Sequence, residues 1–391
     1  MAANPVEVGT HVVAETGALG QLISSLRARG YEVIGPTLRD GAIVYDTLES
    51  MGDLPAGWTD QQAPGKYRVE KGDGGKLFGY VVGPTTWKRF LHPAEVRLFQ
   101  IENNGGGFRV TSTAASQVAP KQAFLGVRAC ELAAIAMQDR VLLGDKYVDP
   151  IYQNRRKDVF LIAVQCTQAS SSCFCASMGT GPHVKGGYDL VLTEIADNGR
   201  TCLVISAGSE AGVEVLREME VRKAPADSVS KAQKAVDGAA AMITRRMDMT
   251  GVRELLYAQF EHPRWDDVAR RCLTCGNCTM ACPTCFCITV DEASDVNGHG
   301  AERWRRWDSC FTQGFSYIHG GSARLSPKSR YRQWLTHKLA AWQDQFGSPG
   351  CVGCGRCITW CPAGIEITEE VAAIRGGPEG ERRNGERQQS A

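Results

Sequence analysis

The chain has 391 residues, 44 of them basic and 43 acidic, for a formal net charge of +1. That length suffices for two domains with a sizeable core. The near-neutral balance supplies no global field for nucleic acid or an anionic membrane, and no apolar run approaches the ~20 residues that span a bilayer.

In chain order, residues 1–20 lack a basic patch followed by an apolar stretch, so no secretory signal is expected. Leu19–Arg29 has helical spacing and ends at Gly30, a natural helix stop. Tyr31–Leu38 and Ala42–Thr47 flank Arg39-Asp40-Gly41 as a hairpin. Further strands are expected at Tyr67–Glu70, Leu77–Val82, Phe108–Thr111 (after a turn at Gly105-Gly106-Gly107), Ala123–Val127, Val159–Val164, Leu190–Glu194 and Cys202–Ser206. Helices are expected over Cys130–Leu143 and Glu210–Met219. Residues 1–222 therefore form a mixed α/β domain. The polar stretch Lys223 to about Gly238 reads as inter-domain, and helical patterns near Ala239–Met249 and Val252–Phe260 complete a connecting segment over 223–261.

Two cysteine quartets follow: Cys272, Cys275, Cys278, Cys282 before Pro283, and Cys351, Cys354, Cys357, Cys361 before Pro362. Each is C-x2-C-x2-C-x3-C-P, the bacterial ferredoxin run, in which three thiolates hold one cubane cluster and the fourth reaches to the other. Zinc sites usually pair two C-x2-C units instead, so two complete runs point to two [4Fe-4S] clusters. The runs are separated by 283–350, too long a stretch for a compact ferredoxin, and Tyr331–Phe346 has helical spacing. Residues 262–375 thus read as a helical dicluster domain, and 376–391, polar and Gly-rich, as a disordered tail. The fold class expected is α+β: an N-terminal mixed α/β domain, then an α-helical ferredoxin-type domain. Cluster thiolates need a reducing compartment for assembly, which favours the cytoplasm.

Eight of the sixteen cysteines lie outside the runs. Cys130 stands between a strand and a helix, Cys166 closes another strand, and Cys173 and Cys175 follow. Ends of neighbouring strands converge on one rim of an α/β sheet. These four are candidates for a third [4Fe-4S] cluster or another metal; the alternative is ordinary buried small hydrophobes. A second C-F-C, Cys285 and Cys287, follows the first run, and Cys310 lies further on near Asp308. These three either pack near the clusters and tune them, or the two C-F-C segments share a site. Cys202 reads as plain core. The segment Arg303–Trp307 suits a protein interface or cluster contacts better than nucleic-acid stacking. His319 is a candidate for a place near a cluster, and no nucleotide or flavin motif is present.

At GVRACELAAIAMQDRV, SSCFCASMGTGP, RRCLTCGNCTMACPTCFC, WDSCFTQGFSYIHGG, SRYRQWLTHKLAAW and CVGCGRCITWCPAGI the chain resembles a known family. It is similar to the dicluster iron–sulfur (beta) subunits of cytoplasmic NAD(P)-linked [NiFe] hydrogenases, or sulfhydrogenases, and to the corresponding chain of anaerobic sulfite reductase. The resemblance implies a non-catalytic, hetero-oligomeric electron-transfer subunit. It would relay single electrons between a flavoprotein NAD(P)-binding subunit and the small and large [NiFe] hydrogenase subunits. By the same resemblance, cluster one uses Cys272, Cys275, Cys278 and Cys361, and cluster two uses Cys351, Cys354, Cys357 and Cys282. The alternatives are an equivalent relay in a sulfite, sulfur or heterodisulfide reductase, or a sulfur reductase working through the C-F-C thiols.

Overall fold

The computed structural model describes residues 6–376 apart from 73–74, 104–106, 115–117, 145, 198 and 298. The expected turn at Gly105-Gly106 and the tail beyond Gly376 lie outside the described residues.

An eight-stranded mixed sheet organises the N-terminal half. Its strands are β1 (His11–Glu15), β2 (Glu32–Arg39), β3 (Ala42–Thr47), β8 (Gln122–Val127), β9 (Phe160–Val164), β10 (Leu190–Asp197), β11 (Arg200–Ala207) and β12 (Arg222–Lys223). Their order is β12-β1-β11-β10-β9-β8-β2-β3, with the inner pairs β10–β9, β9–β8 and β8–β2 parallel. Side chains alternate between the two faces of a strand. Ala123 and Leu125 thus join one core with helix Ala18–Ala28, whereas Phe124 and Val127 join another with Leu132 and Ile135 of helix Ala129–Leu142. A bulge at Gly126, held at φ +96, re-aims the end of β8 toward the rim of the sheet.

The α+β class holds, with helices dominating around the cysteine runs. Local expectations change in several places. Leu77–Val82 is buried but irregular. Side chains replace a strand ladder there: the Leu77 and Phe78 N–H groups donate to Glu194, and the Phe78 and Tyr80 carbonyls accept from Arg128. The inter-domain stretch after Lys223 is itself the start of helix Ala226–Met242, whose Ser228, Ala232, Val236 and Ala239 form a narrow buried stripe of mostly small residues, and the helix expected over Ala239–Met249 stops at Met242. Arg303–Trp307 lies on a strand. β13 (Ile288–Ser294) and β14 (Gly300–Trp307) extend a second sheet in the order β13-β14-β6-β7, with β6 (Glu95–Asn103) and β7 (Phe108–Thr113) from the N-terminal half. The remaining hairpin, β4 (Trp58–Ala63) with β5 (Lys66–Lys71), reaches the second cysteine run, where Gly65 N donates to Ile358 O at 3.1 Å. Among the described residues no helix is long and apolar enough to cross a membrane.

Candidate iron–sulfur sites

Helix Arg264–Arg271 stops at Cys272, and positive φ at Thr274 and Gly276 curls the following loop. Cys272, Cys275 and Cys278 from this loop, with Cys361 from the second run, line one cavity together with Phe311, Tyr331 and Trp334. Thr274 N donates to Cys272 Sγ and Ile365 N to Cys361 Sγ, both at 3.4 Å. Such bonds favour thiolate sulfur. Cys278 lies well above the usual thiol range because of burial, with Cys272, Cys361 and Cys275 adding to it. Cys275 is exposed, as is its neighbour Leu273.

Cys282, the fourth cysteine of the first run, stands with Cys351, Cys354 and Cys357. Burial pushes Cys351 up to about 12, and Cys282 and Cys354 contribute. Gly353 N donates to Cys351 Sγ at 3.4 Å. A buried lysine reaches this group from the helix that begins at Pro327, where Ser326 Oγ accepts from Ser329 N as the cap. The helix relaxes into a π-turn over His337–Ala341, a distortion frequent at functional sites. It carries Lys338 Nζ to 3.3 Å from Cys282 Sγ, 3.7 Å from Cys285 Sγ and 3.0 Å from Gly350 O. The Cys285 thiol, and after it Lys338, holds Cys282 well below the ordinary thiol range.

The third set also converges. The C-terminal ends of the parallel strands β8 and β9 deliver Cys130 and Cys166 to one rim, and the loop beyond adds Cys173 and Cys175. All four line one cavity, and Cys354 of the second run lines it too. Burial lifts Cys130 well above its ordinary value, with Cys175 and Cys354 adding to the rise. Burial likewise pushes Cys173 up to about 11.

Three contacts hold the second and third sets together. Phe174 N donates to Gly353 O at 2.9 Å. Gly355, at φ +81, passes so close that a Cβ there would lie 2.5 Å from Ser172 O. Arg356, between Cys354 and Cys357, pairs with Glu131, next to Cys130, at 2.5 Å with both side chains at most 1% exposed. Tyr45 Oη and Trp87 Nε1 also donate to Glu131, and the Gly83 and Thr85 carbonyls accept from Arg356.

The two C-F-C segments do not share a site. Cys173 and Cys175 face Cys130 and Cys354, whereas Cys285 and Cys287 sit beside Cys282, Cys310 and Lys338. Asp308 is turned to its own chain, accepting from Ser309 N at 2.7 Å. Cys202 is half-buried on β11, away from the other thiols. His319 is exposed, on a turn rather than against a thiol ring. The arginines of Arg303–Trp307 pair with Glu292, Asp149, Glu95 and Asp291, which leaves no basic stripe for a nucleic acid.

Among the described residues no three His, Cys, Asp or Glu are gathered as a single ion requires. The thiols instead stand around open cavities. All-sulfur donors so spaced, with N–H groups already aimed at them, fit a cluster better than one zinc ion. No pattern in the sequence singles out Lys338, Arg356 or Glu131, although Arg356 lies inside the second run.

Residues 271–365 match the family model of the 4Fe-4S dicluster domain. The chain is similar to the sulfhydrogenase 2 subunit beta of Pyrococcus furiosus, at 28% identity over 348 residues, covering 88% of this chain and 92% of that protein. The resemblance drawn from the cysteine segments is thus found again across most of the chain. No solved structure matches it.

Proposed function

We propose that this chain, an iron–sulfur protein with a 4Fe-4S dicluster domain, is the electron-relay subunit of a cytoplasmic hydrogenase of the sulfhydrogenase type. Cys272, Cys275, Cys278 and Cys361 would hold one cluster, and Cys351, Cys354, Cys357 and Cys282 a second. Cys130, Cys166, Cys173 and Cys175 would hold a third. Each cluster, when bound, supplies one-electron exchange with little change of geometry.

The observation that carries this reading is the contiguity of the three sulfur sets. Cys357 of the second set also lines the first cavity, and Cys354 also lines the third. The middle set thus has a neighbour on each side, the arrangement a linear relay needs. Apolar side chains, chiefly Phe311, Tyr331 and Trp334, form much of the wall of the first cavity. Lys338 and Arg356 bring positive charge to the middle set, which favours its reduced form. The exposed Leu273 and Cys275 mark one end of the relay, where a partner can approach.

The partners would be a flavoprotein that exchanges hydride with NAD(P)H and the [NiFe] small and large subunits. Anaerobic affinity purification of the full chain from its native host tests this. The reading expects those chains to co-purify, and NADH or NADPH to bleach the cluster absorbance only when the flavoprotein is present. Recovery of a sulfite-reducing partner instead would move the relay to another terminus. Multiple-turnover reduction of a terminal acceptor by the isolated chain, with NAD(P)H and no partner subunit, would end the relay reading.

A further inference from the structure

Three thiols remain outside the three sulfur sets in the C-terminal half, and two of them meet. Cys287 immediately precedes β13 and Cys310 follows β14. The strands pair Ile288 with Trp307, and Asp308 N donates to Cys287 O at 2.9 Å, so the hairpin base fixes the two cysteines side by side. Each thiol is the strongest influence on the other's acidity, which places the two side chains together at that base. Neither lines the first or the third cavity. Both are partly exposed, unlike buried Cys130, Cys173, Cys175, Cys282, Cys351 and Cys354.

We propose that Cys287 and Cys310 form a redox-active dithiol that exchanges with the sulfur–sulfur bond of a small organic disulfide. Cys287 is the attacking thiolate. The Cys310 thiol first, and Lys338 and Lys88 after it, bring Cys287 down to about 7, near the optimum for an attacking thiol. Lys88 is buried, with its Nζ 3.0 Å from Cys285 O and 3.9 Å above the Trp307 ring. It is thereby fixed beside the pair.

The exchange balances in two steps. Cys287 sulfur attacks one sulfur of R–S–S–R, forming Cys287–S–S–R and releasing one thiolate RS⁻. Cys310, giving up its proton, then attacks Cys287 sulfur, closing the Cys287–Cys310 disulfide and releasing the second RS⁻. The pair loses two electrons and the substrate gains them. Held at one hairpin base, the two side chains can close to the ~2 Å bond length by rotation. This chemistry uses the chain's own thiols and stands apart from the relay reading.

The test is differential alkylation and peptide mass mapping of the full chain, purified anaerobically with its metals and treated with glutathione disulfide. The proposal expects a Cys287–Cys310 linked peptide, reversed by dithiothreitol. Cys310→Ser should trap glutathione on Cys287, Cys287→Ser should show no adduct at Cys310, and both variants should keep wild-type iron content. Two results would overturn it. One is full alkylation of both cysteines after treatment. The other is loss of iron in either serine variant, which would make that thiol a cluster ligand.

Discussion

Replacing Lys338 by methionine removes one buried positive charge from the second sulfur set while keeping most of the side-chain volume. Lys338 Nζ lies 3.3 Å from Cys282 Sγ. An electron added to a cubane is spread over the whole cluster, so the mean charge separation is nearer ~6 Å. At an effective dielectric of ~20 this is worth ~3 kcal/mol. One electron converts ~1.4 kcal/mol into ~59 mV, so the potential of the second cluster should fall by about 100 mV. Clusters at the first and the proposed third sets, farther from the ammonium, should move by less than half of that, on the order of 50 mV or below. Potentiometric titration of the anaerobic protein, followed by EPR of the reduced clusters, reads all three. A shift below about 20 mV at every cluster would refute the placement of this charge on the second set.

Arg356→Met leaves Glu131 buried without its counter-ion and should destabilise the fold by about 3–5 kcal/mol, measured by denaturant unfolding. A loss under about 1 kcal/mol would contradict the clamp. Gly355→Ala forces a Cβ against Ser172 O at a positive φ and should cost about 2–4 kcal/mol. It should also lower iron content, because the same contact joins the second and third sets. His92 is 1% exposed and its pKa is lowered to about 4, chiefly by burial and then by Arg305. The unfolded chain binds a proton near pH 6.5 that the folded one refuses. This contribution is therefore full above about pH 6.5 and lost as pH falls toward 4, by up to about 3 kcal/mol. His92→Phe should flatten that part of a pH series of urea midpoints, and an unchanged slope would contradict the assignment.

The chemistry of the cysteine runs was legible because cluster ligation fixes sequence spacing directly. The convergence of Cys130 with Cys166 was legible for a different reason. Parallel strands point the same way, so their ends must share a rim, and β8 and β9 do. Long-range pairing was not legible. β14 joins β6 across roughly half the chain, and no local pattern in Arg303–Trp307 names that partner. Leu77–Val82 has strand-like residues, yet its backbone is satisfied by Glu194, Asp60 and Arg128, contacts invisible to periodicity. Lys338 and Arg356 look like any surface cation in a sequence. Only the fold reveals that a π-turn buries one and that Glu131 receives the other.

Iron and acid-labile sulfide per chain, measured on the anaerobically purified full-length protein, test the three-site relay most directly. Three cubanes predict about twelve of each, falling to about eight in Cys166→Ser. About eight in the unmodified protein, unchanged by Cys166→Ser, would reduce the third set to buried core and end the relay at the second cluster.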